Sequence, residues 1–161
     1  MRISFLLSGI LFFSACSIKD PIIVDTNLKT QTLMFSQKYK ISQNNLNAIV
    51  TMSYLNPVLD YSSDNDIFAF TLTPDSFNID SLEIFLNNKK ADIKELDPSF
   101  LKYLLQNNYT KYLEVTLPSE KAENFVKAKI CLNHLPCFEL NFQKYPKSLY
   151  YRSEDVDTQY N

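Results

Sequence analysis

Residues 130–138 read ICLNHLPCF, and they hold the densest reactive chemistry in the chain. Cys131 and Cys137 bracket His134, the single histidine of the 161 residues. Three chemistries fit that grouping. A metal clip would use all three side chains, but structural zinc wants four ligands, usually in two close pairs, and no second Cys/His pair exists. A cysteine nucleophile with His134 as base would need an orienting partner, and no protease-type signature surrounds it. A disulfide would pin a turn over the spacer LNHLP, which contains Asn133 and Pro136 and suits a hairpin loop. The choice depends on the redox compartment.

The N-terminus addresses the compartment. The chain opens MRISFLLSGILFFSACSIKD. Arg2 is a short positive region, residues 3–13 are an apolar run, and Ser14 and Ala15 precede Cys16. The run is shorter than the ~20 residues that a membrane-spanning helix needs and suits a signal-peptide core. Phe13-Ser14-Ala15-Cys16 resembles the lipobox of bacterial lipoproteins: a bulky residue, two small ones, and a cysteine. That family prefers Leu where Phe13 stands. The resemblance implies a thioether-linked diacylglycerol on Cys16, cleavage before it, and acylation of the new amine. Two or more acyl chains anchor stably, each buried CH₂ contributing about 0.8 kcal/mol. Ser17 rather than Asp after the cysteine implies an outer-membrane destination, on its periplasmic or external face, in lipoproteins of the enteric type.

A mature chain folded outside the cytoplasm lives where disulfides persist. With Cys16 used for lipid, Cys131 and Cys137 remain as an even pair, and the sequence predicts that they are bonded to each other. His134 then sits in the loop that the bond closes.

Composition excludes several classes. Removal of residues 1–15 leaves 161 − 15 = 146, one domain's worth of chain. The formal charge of −2 becomes −3 once Arg2 is lost, so no basic face recommends nucleic acid as a partner. The only glycine, Gly9, lies in the signal segment. A mature chain without glycine cannot build G-x-G-x-x-G or P-loop phosphate cradles, nor a G-x-S-x-G nucleophile elbow. Its turns must use Asn, Asp, Pro and Ser. No resident cofactor or metal is expected. Asp60, Asp64 and Asp66 in DYSSDND lack the glycine and distal Glu of a calcium loop and are expected in a solvated turn.

The elements that position the hairpin follow from periodicity. Residues 17–30 show no period; with Cys16 they are expected to form a lipidated tether (16–30), the fourteen residues after the cysteine reaching at most ~45–50 Å. From 31 to 143 the period is mostly two. Strands are predicted over 31–42, 47–55, 66–74, 81–88, 111–118, 125–133 and 137–142, with 91–97 returning across NNKK (87–90) as a hairpin. One face carries Ala48, Val50, Met52 and Tyr54; others carry Phe68, Phe70 and Leu72, or Val126, Ala128, Ile130 and Leu132. Asp97 and Pro98 open a short helix of two or three turns through Leu101, Leu104 and Leu105. A helical turn is expected over 118–125. Residues 144–161 form a Tyr-rich tail.

Seven or eight short strands with regular turn signals and one short helix predict a mainly β protein, an antiparallel sandwich. The order of elements over VTLPSEKAENFVKAKIC (115–131) resembles the late strands of immunoglobulin-like domains. The departures are Phe125 where a corner Tyr would stand, the lack of Trp, and cysteines that join one hairpin rather than two sheets. The chain is also similar to small lipoproteins of epsilonproteobacterial type with a divergent immunoglobulin-like sandwich. The combination leads to the expectation of a non-enzymatic, membrane-anchored module that binds a protein partner, with surface adhesion as one such role and His134, Tyr150, Tyr151 and Arg152 as contact residues, Tyr and Arg being enriched at interfaces. A periplasm-facing subunit of an envelope assembly is the alternative, and a hydrolase with an unrecognised site a lesser one.

Overall fold

A computed structural model describes residues 21–43, 46–77, 79, 81–120, 122–133 and 135–144. Among them lie nine strands: β1 (Ser36–Gln43), β2 (Leu46–Tyr54), β3 (Asn65–Thr73), β4 (Leu82–Leu86), β5 (Lys89–Lys90), β6 (Asp92–Glu95), β7 (Lys111–Pro118), β8 (Phe125–Leu132) and β9 (Phe138–Gln143). An α-helix, α1, spans Pro21–Met34, and a 3-10 helix, η1, spans Pro98–Tyr103. The strands form two antiparallel sheets, a five-stranded one in the order β1-β2-β3-β7-β6 and a four-stranded one in the order β5-β4-β8-β9. With β1 set aside, these are the A-B-E-D and C′-C-F-G orders of an immunoglobulin-type sandwich.

The alternating rows read from the sequence face each other across this sandwich. Val50, Met52, Phe68, Phe70, Leu72, Ile84, Leu86, Val115 and Ile130 are fully buried between the sheets, and Phe138, Leu140 and Phe142 complete the layer. Period-two burial is unbroken in β9 and nearly so in β8, because each presents one face to the core and one to water. Burying a large apolar side chain contributes roughly 1.5–3 kcal/mol, so this layer dominates the stability.

A second apolar layer lies on the outer face of the five-stranded sheet. Leu55, Val58, Ile67, Ala69, Leu96, Phe100, Tyr103 and Leu104 cluster there, with Leu28 of α1 and Tyr112 of β7 packed against them. This layer explains two departures from the expected elements. Pro21–Met34 is helical where an unstructured stretch was expected, and the first strand starts at Ser36 rather than 31. Pro21 stands in the first turn, where its missing N–H costs nothing. The rest of the segment is rich in Thr, whose hydroxyls bond back to the backbone: Thr30 Oγ1 to the Thr26 carbonyl and Thr32 Oγ1 to the Leu28 carbonyl, both 2.9 Å. Such a helix has little intrinsic propensity and is held by docking.

Around η1, Asp97 caps as expected, its Oδ1 accepting from the Ser99 N–H at 2.9 Å, with Pro98 next. The turn is a tight six-residue 3-10 helix. Leu104 is buried after it, whereas Leu105 is 62% exposed.

Asparagine supplies the left-handed backbone that glycine would otherwise provide. Asn87 and Asn88 join β4 to β5 with φ of 48° and 68°, and Asn133 has φ 48°. Two successive positive φ values make the two-residue hairpin turn whose twist matches the flanking strands. The hairpin is short. Only Phe85↔Lys90 and Leu86↔Lys89 pair, and the chain then crosses at buried Ala91. The segment after it, β6, therefore pairs with β7 in the other sheet instead of returning along β4. Within 118–125 the chain makes one turn, the Glu123 N–H donating to the Glu120 carbonyl at 3.2 Å; before it Ser119 donates its N–H to the Asp64 carbonyl, and after it Phe125 begins β8, 63% exposed, so it is no substitute for a buried corner residue.

Candidate functional site

Crossing at Ala91 closes one side of the sandwich. Among the described residues the other side is left to two edge strands, β1 and β9, which lie next to each other without sharing a ladder. Edge strands present unpaired backbone groups, and β1 carries Lys38 and Lys40 on its outer face, a usual protection against unwanted pairing.

The disulfide hairpin sits at one end of this open side. The β8–β9 ladder runs out at Ile130↔Phe138, and the next two facing residues are Cys131 and Cys137. Their sulfurs are bonded, 2.09 Å apart, as the compartment argument predicts. The bond closes a loop whose turn is set by Asn133. The Asn133 N–H donates to the Ser81 carbonyl at 2.9 Å, and its Oδ1 accepts from the Ser81 N–H at 3.0 Å. The loop is thus fastened to the start of β4 as well as to itself.

Beyond the bond, Phe138 reaches across to β1. Its ring stacks on Tyr39, with centroids 3.9 Å apart and planes 5° from parallel. Tyr39 belongs to the inward row of β1, paired with Val50, yet it is 41% exposed, since among the described residues no further strand lies beyond β1. Tyr39, Lys40, Ile41 and Ser42 on one wall and Leu135, Pro136 and Phe138 on the other form an open depression of about 320 Å³. It offers an aromatic face, a proline, a lysine and a hydroxyl. The stacked rings bound it on one side and the disulfide-bonded segment on the other.

A second depression of about 360 Å³ lies at the other end of the open side, where Met34, Phe35 and Gln37 face Phe125 and residues 141–143. Met34 is 60% exposed there. The outer face of β1–β3 bears a hydroxyl-lined groove of about 410 Å³ between α1 and the segment after η1, with Thr51, Thr71, Thr73 and Thr110 along it.

Of the residues singled out from the sequence, Cys131 and Cys137 are brought together. Cys16, His134, Tyr150, Tyr151 and Arg152 lie outside the described residues. Asp66 is neither in a solvated turn nor in a calcium loop: it is 2% exposed, and its carboxylate meets Lys144 at 2.6 Å. Among the described residues no cluster of three or more His, Cys, Asp or Glu could hold a metal ion. Tyr39 and Asp66 were missed as site residues. Tyr39 stood in an alternating strand, and its chemistry arises only from its place at an edge.

Electrostatics elsewhere are local. Lys94 pairs with Glu114 at 3.0 Å, and this bond with its charge pushes the Lys94 amine above its ordinary value. The Asp97 carboxyl is held below the usual range by the Ser99 backbone and side-chain donors.

The fold and site define a β-sandwich of immunoglobulin-type strand order with a disulfide-tied loop at its open side. No family model, curated protein or solved structure matches this chain.

Proposed function

We infer that this chain is a lipid-anchored lipoprotein of the outer membrane whose sandwich is a non-enzymatic protein-binding module. The partner docks at the disulfide loop and the adjoining β1 edge. The observation that carries this reading is the paired restraint of that surface, with the Cys131–Cys137 bond fixing the loop and the Tyr39–Phe138 stack fixing its neighbour. A surface ordered before binding avoids the cost of immobilising side chains and loops on association, on the order of 0.5–1.5 kcal/mol per side chain. Tyrosine supplies large contact area with few rotatable bonds. The lipobox-like Phe13-Ser14-Ala15-Cys16 supports the anchor.

A photo-crosslinking amino acid at Tyr39 or Pro136, in cells that make the full protein, tests the docking surface. The expected result is one discrete adduct, lost in the Cys131→Ser/Cys137→Ser double variant and absent when the crosslinker stands at Lys90 on the closed side. An equal adduct pattern from all three positions, or none from Tyr39 and Pro136, contradicts the reading.

A further inference from the structure

The inward rows of β3 and β9 each end in a charge. The row Phe68, Phe70, Leu72 begins with Asp66, and the row Phe138, Leu140, Phe142 ends with Lys144. The two side chains meet at Oδ2–Nζ 2.6 Å, with 3% and 1% of their surfaces exposed. Asp66 Oδ1 accepts hydrogen bonds from Tyr54 Oη at 3.0 Å and Ser119 Oγ at 2.9 Å. Lys144 Nζ also donates to Ser119 Oγ at 3.2 Å and to the Glu120 carbonyl at 3.1 Å. A third carboxylate, Glu123, lies 4.0 Å from the same nitrogen. Next along the same inward rows, Phe68 packs on Tyr54 and on Phe142. The pairs Lys89–Glu120, Lys90–Glu83, Lys94–Glu114 and Lys127–Glu139 differ, since each leaves its lysine more than half exposed.

We propose that Lys144 and Asp66 condense into an amide that joins β3 to the end of β9. The first step moves one proton from Nζ to Oδ2 across their 2.6 Å contact, leaving an amine touching a carboxylic acid. The amine lone pair then attacks Asp66 Cγ. Negative charge develops on Oδ1, where the Tyr54 and Ser119 hydroxyls already donate, an arrangement of the oxyanion-hole kind. A second proton leaves the nitrogen for the departing Oδ2, carried by the Glu123 carboxylate once it gives up its bond to Asn87 and closes the 4.0 Å gap to Nζ. The Cγ–Oδ2 bond breaks and one water departs, while the amide nitrogen keeps the third hydrogen. One ammonium and one carboxylate thus become one amide and one water, with no oxidant and no further reactant. The fold supplies the driving advantage, because holding amine and carboxyl in contact replaces a bimolecular encounter and excludes the water that would reverse it. The product ties the two sheets covalently at the end of β9, and it is independent of the anchor and of the docking surface.

Peptide mapping of the full mature protein, extracted from membranes, reduced and digested, tests the bond. The expected product is a branched peptide joining the segments that contain Asp66 and Lys144, lighter than their sum by one water, with both linear peptides depleted. Lys144→Arg keeps a cation beside Asp66 but cannot form this amide, so it should give linear peptides only. Glu123→Gln should lower the linked fraction about ten-fold at a fixed time after synthesis. Full recovery of both linear peptides from the wild-type protein, without the branched one, overturns the proposal. An unchanged linked fraction in Glu123→Gln overturns the proton route through that residue.

Discussion

Replacing Asn87 separates two contributions that a glycine-free chain must draw from one residue. Asn87 stands in left-handed backbone at φ 48°. Its side chain also clasps the neighbouring strand: Nδ2 donates to Glu123 Oε2 at 2.6 Å and to the Phe125 carbonyl at 3.2 Å, and Oδ1 accepts from the Lys127 N–H at 2.8 Å. Asn87→Gly keeps the backbone geometry and removes the three bonds. Each contributes about 0.5–1 kcal/mol at a partly exposed site, so the variant should lose roughly 2 kcal/mol. Asn87→Ala loses the same bonds and adds a Cβ in left-handed backbone, about 1 kcal/mol more. With a urea slope near ~2 kcal/mol/M, the midpoints should fall by about 1 M and 1.5 M. Urea unfolding followed by far-UV circular dichroism reads both. Asn88→Gly, at φ 68°, is the internal control and should leave the midpoint unchanged or raised slightly, since glycine is favoured there. If Asn87→Gly unfolds at the wild-type midpoint, the clasp contributes nothing. If Asn87→Ala and Asn87→Gly coincide, the backbone argument fails.

Further expectations follow from the core, the loop and the cap. Phe68→Ala, at a fully buried ring, should cost about 3–5 kcal/mol, while Phe125→Ala, 63% exposed, should stay within about 0.5 kcal/mol in the same urea assay. Reduction of the Cys131–Cys137 bond, or the double serine variant, should cost roughly 2 kcal/mol, because the closed loop is short; a larger loss would mean that the bond holds more than its own hairpin. The Asp97 carboxyl titrates below its unfolded value because of the Ser99 backbone donor first and its side chain second. Its stabilisation is therefore complete above the unfolded pKa and lost as pH falls through the lowered folded one. Wild type should outlast Asp97→Ala in thermal melts at neutral pH, and the two should converge in strong acid; a constant gap would refute the linkage.

The strands were legible wherever one face packs on the core. Ala48, Val50, Met52 and Tyr54 alternate with polar or exposed neighbours, and so do the rows in β8 and β9, so periodicity alone placed them. The segment Pro21–Met34 was opaque because its helix rests on docking of Leu28 into the outer layer rather than on an apolar stripe. The split of β5 from β6 was equally hidden. An Asn-Asn turn looks the same whether the returning strand continues or crosses over, and the decision falls on one small buried residue, Ala91. The disulfide could be read from spacing plus compartment. The Asp66–Lys144 pair could not, since its partners come from opposite sheets and Asp66 reads locally as one more acid in a polar turn. The Tyr39–Phe138 face has the same cause: two ordinary strand residues become a surface only when their strands turn out to be edges.

In the proposed function, Cys16 carries the lipid that places this sandwich, with its bonded loop, at the outer membrane. Cells fed an alkyne-bearing palmitate should yield labelled wild-type protein in the membrane fraction. Cys16→Ala should be unlabelled, uncleaved before residue 16 and absent from the outer membrane. A Cys16→Ala protein that is still processed at that point and still retained by the outer membrane would refute lipid anchoring through Cys16.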